Sequence, residues 1–230
     1  GSWSINHYFK ERAIELAYEL LVNRLGFPLN KLYMTVYEGN KKLGLKPDLE
    51  SAKAWEKVGV PSSHIIFQPH DDNFWGPAGE TGPCGPCTEV FFDTGDKHGK
   101  PYTPGGHFDT EKRYVEIWNA GVFMEFNKQS DIVFNPLNFT SVDTGSGLER
   151  MTMIMNGCET VYETDLLKPT YDKIKHQLDK SVSEKELRIL TDHLRATTFI
   201  LAEGIKPSNE GRGYIPRKLI RKCMAIIAKK

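Results

Sequence analysis

The sequence predicts an α+β fold, with an antiparallel sheet followed by an all-helical segment, and two observations carry that expectation. Stretches of strand character follow one another without regular helical crossovers, which favours antiparallel pairing over a parallel sheet. From about residue 181 onward the apolar spacing is helical throughout. The boundary is therefore expected between a mixed region, 1–180, and a helical region, 181–230.

The elements follow in order. Asn6 stands where it can cap a first helix whose apolar positions are Phe9, Ala13, Leu16, Ala17, Leu20 and Leu21, with Gly26 and Pro28 closing it. Leu32, Met34 and Val36 alternate with Tyr33, Thr35 and Tyr37, a strand pattern. Asp48 opens a short helix carrying Ala52, Trp55 and Val58 on one side. The apolar run 64–68 leads into a Gly/Pro-rich stretch over 76–86, which reads as a loop. Further strands are expected over 89–92, 114–119, 122–126 and 139–143.

In the helical region, Ser183 and Glu186 form an S-x-x-E capping box ahead of Leu187, Leu190, Leu194, Thr198 and Leu201, and Gly204 is placed to end that helix. A second helix is expected from about Tyr214, with Pro216 tolerated in its first turn. Its buried stripe reads as Leu219, Ile220, Cys223, Met224 and Ile227, with Arg217, Lys218, Arg221 and Lys222 in two rows on the other side.

Thirty basic and thirty acidic side chains cancel, hydrophobic residues make up 39%, and 230 residues suffice for one large or two modest cores. No apolar run approaches the ~20 residues of a membrane span, and no signal-peptide pattern opens the chain, so a cytoplasmic protein is expected. Four cysteines suit a reducing compartment. The zero charge hides an asymmetry: residues 188–230 hold ten Lys or Arg against three Asp or Glu, so this part is +7 and the remainder −7. That polarity points the helical region toward an anion such as RNA, against the plainer reading of a solvated helical face.

The stretch VDTGSGLER at 142–150 is the most chemically pointed. Its glycines let backbone approach a ligand, Asp143 can hold an ammonium group, and Arg150 can fork onto phosphate oxygens. The plain reading of the same residues is a strand-turn-helix junction with a surface ion pair. Cys84 and Cys87 make a C-x-x-C without a second ligand pair, so no metal site is assigned; the surrounding PCGPC reads as a rigid turn, with Thr88 and Glu89 facing the site.

VDTGSGLER resembles motif 3 of the class II alanyl-tRNA synthetases. GSWSINHYFK at 1–10, GPCGPCTEVFFD at 82–93, EIWNAGVFMEFN at 116–127 and TDHLRATTFILAEGIKPSNEGRGY at 191–214 resemble further blocks of that family, in its order. The resemblance covers almost the whole chain, with 41–48 and 97–110 the least distinctive parts. It implies an incomplete sheet of class II synthetase type and a following tRNA-recognition segment. It implies ATP with Mg2+ as cofactors, alanine and tRNA specific for alanine as partners, and no membrane partner. The implied reaction joins alanine to ATP as an adenylate and transfers the aminoacyl group to tRNA, with no protein nucleophile and no general base assigned.

Carried onto this sequence, the resemblance puts Asp143 against the substrate ammonium, Trp118 as a wall of the small amino-acid pocket, Asn119 and Val122 as further lining, and Gly145 as an open floor. Trp118 read without the motif is a core aromatic on a strand. Gly147 and Arg150 fall to ATP, with Arg150 the catalytic contact to the γ-phosphate. Asn209, Glu210, Arg212, Arg217 and Arg221 fall to the acceptor stem of tRNA. Ala120-Gly121 departs from the family, which has an aliphatic residue ahead of the position of Val122, so the pocket is expected to be reshaped. The family rejects glycine and serine with a separate editing domain, whose H-x-x-x-H signature does not occur here.

In the family, the opening strand, the motif 2 arginine and the adenine-stacking aromatic precede the block matching residues 1–4. The expectation is thus a fragment of such a ligase, inactive or nearly so in isolation, with a companion chain as one source of the remaining N-terminal strands. Two other readings stay open: a natural truncated paralogue that binds alanine, adenylate or tRNA without catalysis, and a module that binds RNA or a partner only.

Overall fold

Alternating apolar residues build the expected sheet, with strands longer than the sequence pattern suggests. A computed structural model describes residues 1–178 and 182–228. In chain order the elements are β1 (Ser2–Ile5), α1 (Lys10–Tyr18), β2 (Leu32–Tyr37), α2 (Leu49–Lys57), β3 (Ile65–Gln68), α3 (His70–Asn73), β4 (Phe74–Trp75), β5 (Gly82–Asp93), β6 (Tyr114–Ser130), β7 (Val133–Gly145), α4 (Leu148–Met155), α5 (Lys168–Gln177), α6 (Glu184–Ala202) and α7 (Tyr214–Ile227). They divide into two compact units, Gly1–Met151 and Thr152–Lys230. The compositional boundary expected at 180/181 falls at residues 179–181, which lie outside the described residues.

In the first unit the sheet runs β1-β7-β6-β5-β2-β3, with β4 paired to β5. Every pairing is antiparallel except β2 with β3. Helices α1 and α2 pack on each other, α1 against β6 and α2 against β2. Trp55 of α2 is fully buried; its Nε1 donates to Thr88 Oγ1 at 2.8 Å, and Thr88 Oγ1 donates to the Thr35 carbonyl at 2.6 Å. Thr88 therefore faces the core and not the site, because the indole N–H and the β2 carbonyl both need a buried partner. Lys10 is buried as well, its Nζ 3.0 Å from Asp48 and 3.2 Å from Glu125. Asp48 also caps α2, as expected, accepting from the Ser51 N–H at 3.1 Å.

Three local expectations are corrected. Asn6 does not cap α1: it takes a left-handed φ of 53°, its N–H goes to the Thr140 carbonyl of β7, and the helix starts four residues later at Lys10. The helix then continues as a wider π-type turn over Glu19–Arg24 before Gly26, at φ 73°, turns the chain. The Gly/Pro-rich stretch is no loop from residue 82 on, since GPCGPC is the first half of β5. Pro83 pairs in register with Asn127, Pro86 sits at the irregular step of the ladder and pairs with Phe74 of β4, and Gly85 is so close to the Phe123 carbonyl that a Cβ would collide with it. The strands expected at 114–119 and 122–126 are one strand, β6, whose register shifts against β5 and β7 at Ala120-Gly121. Ala120-Gly121 thus forms a β-bulge.

The second unit is helical. Tyr171, Ile174, Val182, Leu187, Leu190, Cys223 and Ile226 form its buried cluster. The capping box forms as expected: the Glu186 N–H donates to Ser183 Oγ at 3.3 Å and the Ser183 N–H to Glu186 Oε2 at 2.9 Å. Gly204, at φ 81°, follows the end of α6. The buried stripe of α7 is rotated by one position from expectation. Pro216, Cys223 and Ile226 are buried, whereas Met224 and Ile227 are 61% and 47% exposed. Apolar residues at 226 and 227 fit a helical stripe equally well, so the packing against α6 decides between them.

Candidate functional site

Strand β5, the start of β6 and the residues around the α4 N-terminus enclose an open cleft of about 790 Å³ in the first unit. Its aromatic part is built on the cluster of Ile66, Phe91, Phe108 and Tyr114, with Tyr102 packed on it. The loop after β5 carries Tyr102 and Phe108. Its base is fixed by Arg113, which is buried and grips Asp93 through Nε and Nη2 at 2.7 and 2.8 Å, and Asp96 and the Gly99 carbonyl through Nη1 at 2.7 Å each.

The charged part of the cleft holds Asp72, Glu89, Glu116 and Arg150. Arg150 Nη1 donates to Glu116 Oε2 at 2.7 Å and to the Glu116 carbonyl at 3.3 Å. The turn that carries Arg150 is pinned to β6 by Ser146 Oγ, which donates to the Ile117 carbonyl at 2.6 Å. Glu89 is partly buried beside two other carboxylates. Burial first, then Glu116 and Asp72, push it up to about 7, while Arg150 and the hydrogen bond from Asn119 pull the other way.

The sequence-expected residues gather on the neighbouring strands. Asn119 sits across from Gly145 and Val122 from Asp143 in the β6–β7 ladder, and Trp118 is across from Val90 of β5. Asn119 reaches the cleft by donating Nδ2 to Glu89 Oε1 at 3.3 Å. Trp118 Nε1 and Asn119 Oδ1 are buried with no hydrogen-bond partner among the described residues. Such orphan groups mark places where a ligand or water completes the bonding. At Gly145 a Cβ would meet nothing within 4 Å, and Gly147 lies at the start of the turn into α4. Of the expected residues Arg150 and Glu89 belong to the cleft wall itself; Trp118, Val122, Asp143, Gly145 and Gly147 do not line it.

Sequence reasoning missed Asp72, Asn73 and Glu116. Glu116 opens the quoted EIWN block, and a carboxylate at the start of a strand that leads to the expected pocket was the available signal. Asn73 is almost fully buried; its Nδ2 donates to Thr35 Oγ1 and the Cys87 carbonyl at 2.9 and 2.8 Å, and its Oδ1 has no partner. Cys84 and Cys87 are buried thiols on β5, both pushed up by burial and so held as neutral thiols.

In the second unit Asn209, Glu210 and Arg212 are exposed in the connection between α6 and α7, which Ser208 ties back through its N–H to the Gly213 carbonyl at 2.9 Å. Arg217 and Arg221 follow on α7, one turn apart, Arg217 half-buried and Arg221 exposed.

With this geometry in place, the comparison with known proteins is direct. The model of the family described as tRNA synthetases class II (A) matches residues 1–230. The chain belongs to that family. It is 40% identical to an alanine-tRNA ligase of Rubrobacter xylanophilus, 44% to one of Thermotoga maritima and 41% to one of Treponema pallidum, in each case over 97% of this chain. It spans about a quarter of the first two relatives (26%) and 38% of the third. The seven-stranded, mostly antiparallel sheet fits the class II synthetase fold. No helix among the described residues is long and apolar enough to cross a membrane.

Proposed function

We propose that this chain serves an alanine-tRNA ligase as the part that holds alanine and the phosphates of ATP and meets tRNA, in the cytoplasm. The observation that carries this reading is the convergence of Arg150, Glu116 and Glu89 on one cleft beside the strand pair that bears Trp118, Asn119, Val122, Asp143 and Gly145. In the reaction, a carboxylate oxygen of alanine bonds to the α-phosphorus of ATP as the bond to pyrophosphate breaks. A ribose hydroxyl of tRNA then attacks the carbonyl and AMP leaves. Neither step needs a protein nucleophile, so the side chains act by position and charge.

Within that reading, Asp143 takes the alanine ammonium, Trp118 and Val122 shape a pocket for a small side chain, and Arg150 takes the γ-phosphate with Gly147 beside it. The residues of the cleft suit Mg2+ as well. Three carboxylates face one guanidinium there, a surplus of negative charge that would repel a bare triphosphate, and no group of three metal-ligating side chains occurs among the described residues. Mg2+ characteristically takes one or two carboxylates and completes its shell with phosphate oxygens and water, for which Glu89 and Glu116 qualify. When bound, the ion would neutralise phosphate charge.

In the second unit, Arg212, Arg217 and Arg221 would meet RNA phosphates, with Asn209 and Glu210 near base edges. A second reading, binding without catalysis by this chain alone, is favoured by one observation: among the described residues, Arg150 is the only Arg or Lys in the cleft wall. Two measurements test the proposal. Alanine calorimetry should show Asp143→Asn losing on the order of 2 kcal/mol, since an amide cannot replace a carboxylate against a buried ammonium. Unchanged affinity would remove Asp143 from the site. Alanine-dependent exchange of pyrophosphate into ATP separates the readings, with weak or absent exchange expected for the isolated chain.

A further inference from the structure

We infer that Glu116 is an internal competitor for Arg150, pairing with the guanidinium that a phosphate must take. The inference rests on the proposed phosphate role of Arg150. Both contacts to Glu116, 2.7 Å to Oε2 and 3.3 Å to its backbone oxygen, are made through the single nitrogen Nη1. The pair stands at solvent, with side-chain exposures of 53% for Arg150 and 33% for Glu116, so a ligand entering the cleft reaches it without unfolding anything.

A phosphate binds a guanidinium best through two parallel N–H donors; a carboxylate held on Nη1 takes the Nη1/Nη2 edge, leaves only the Nε/Nη2 edge for such a fork, and repels the incoming anion. Glu116 is tethered on β6 and Arg150 just past β7, so the competitor is always present at high local concentration. Exposure keeps the pair weak enough to exchange.

The test is calorimetric titration with inorganic tripolyphosphate, free of divalent cations and at fixed low salt, on the native chain, Glu116→Gln, Arg150→Ala and the double variant. Glutamine keeps the size of the side chain and a neutral acceptor. Glu116→Gln is expected to bind roughly fivefold tighter than the native chain, the fold-change corresponding to a partly exposed ion pair. The same substitution in the Arg150→Ala background should give little or no gain. Equal gains in both backgrounds would mean that Glu116 acts only through the general field of the cleft, and weaker binding by Glu116→Gln would make it a support for Arg150; either overturns the inference and leaves the phosphate role standing. If Arg150→Ala binds tripolyphosphate as well as the native chain does, the phosphate role itself falls.

Discussion

Asn119 spends its amide N–H on Glu89 Oε1, 3.3 Å away across the β5–β6 ladder, and keeps its Oδ1 buried with no donor. The pair links the strand that lines the cleft to the strand that carries the expected amino-acid pocket. One half of the link is a carboxylate held up at about 7, chiefly by its burial.

That carboxylate should make stability fall as pH rises. Between its ordinary value of 4.5 and about 7, folded Glu89 keeps a proton that the unfolded chain has lost. Its contribution is complete below pH 4.5 and gone above about 7, a change on the order of 2 kcal/mol after allowing for its partial exposure. Glu89→Gln removes the titration, so urea midpoints should match the native chain near pH 4.5 and exceed it at pH 8. A variant as pH-sensitive as the native protein would show that Glu89 ionises normally.

Lys10 should be among the most costly positions to neutralise. Burial alone would push its ammonium down, and Asp48 and Glu125 more than reverse that, holding it above the usual lysine range. Lys10→Met leaves both carboxylates without their cation in the space between α1, α2 and β6, which should cost about 3–5 kcal/mol. Adding Glu125→Gln should return part of this loss in denaturant unfolding. A single variant within about 0.5 kcal/mol of native would place the cluster among ordinary surface pairs.

Gly85 tests the reassignment of 82–86 from loop to strand. An alanine there drives its Cβ into the Phe123 carbonyl of the paired strand, so β5 or β6 must move. Gly85→Ala should destabilise the first unit by at least about 1–3 kcal/mol, measured by thermal unfolding. A fully native midpoint would mean that the two backbones are not so close.

What the sequence could and could not reveal follows the range of the interactions. Leu32 to Tyr37 alternate and Asp48 precedes a helical stripe, so β2 and the start of α2 are legible from neighbours alone. The beginning of β5 is not, because glycine and proline signal a loop locally while the pairing that overrides them comes from Phe126 and Phe74. Asn6 has the side chain of a helix cap, but Thr140 takes its N–H into the sheet. The site divides in the same way. Arg150 and Asp143 stand out within one nonamer, whereas Glu116 meets Arg150 across 34 positions of chain and is marked locally only by its place at the start of a strand.

RNA binding should depend on the basic loop and helix of the second unit. Arg212 lies in the connection before α7, and Arg217 and Arg221 follow one turn apart on that helix, within a segment of ten basic and three acidic residues. Each arginine on a phosphate releases about one counterion, so replacing all three with alanine should weaken tRNA binding and reduce the slope of log affinity against log salt by about 2–3. Arg212 sits in the loop, where an exposed guanidinium can approach base edges, so its single replacement should also narrow the preference between matched and mismatched acceptor stems. Filter binding over a salt series measures both effects. Unchanged affinity and slope in the triple variant would leave these arginines as solvated surface, and a loss equal for every stem would confine Arg212 to the phosphate backbone.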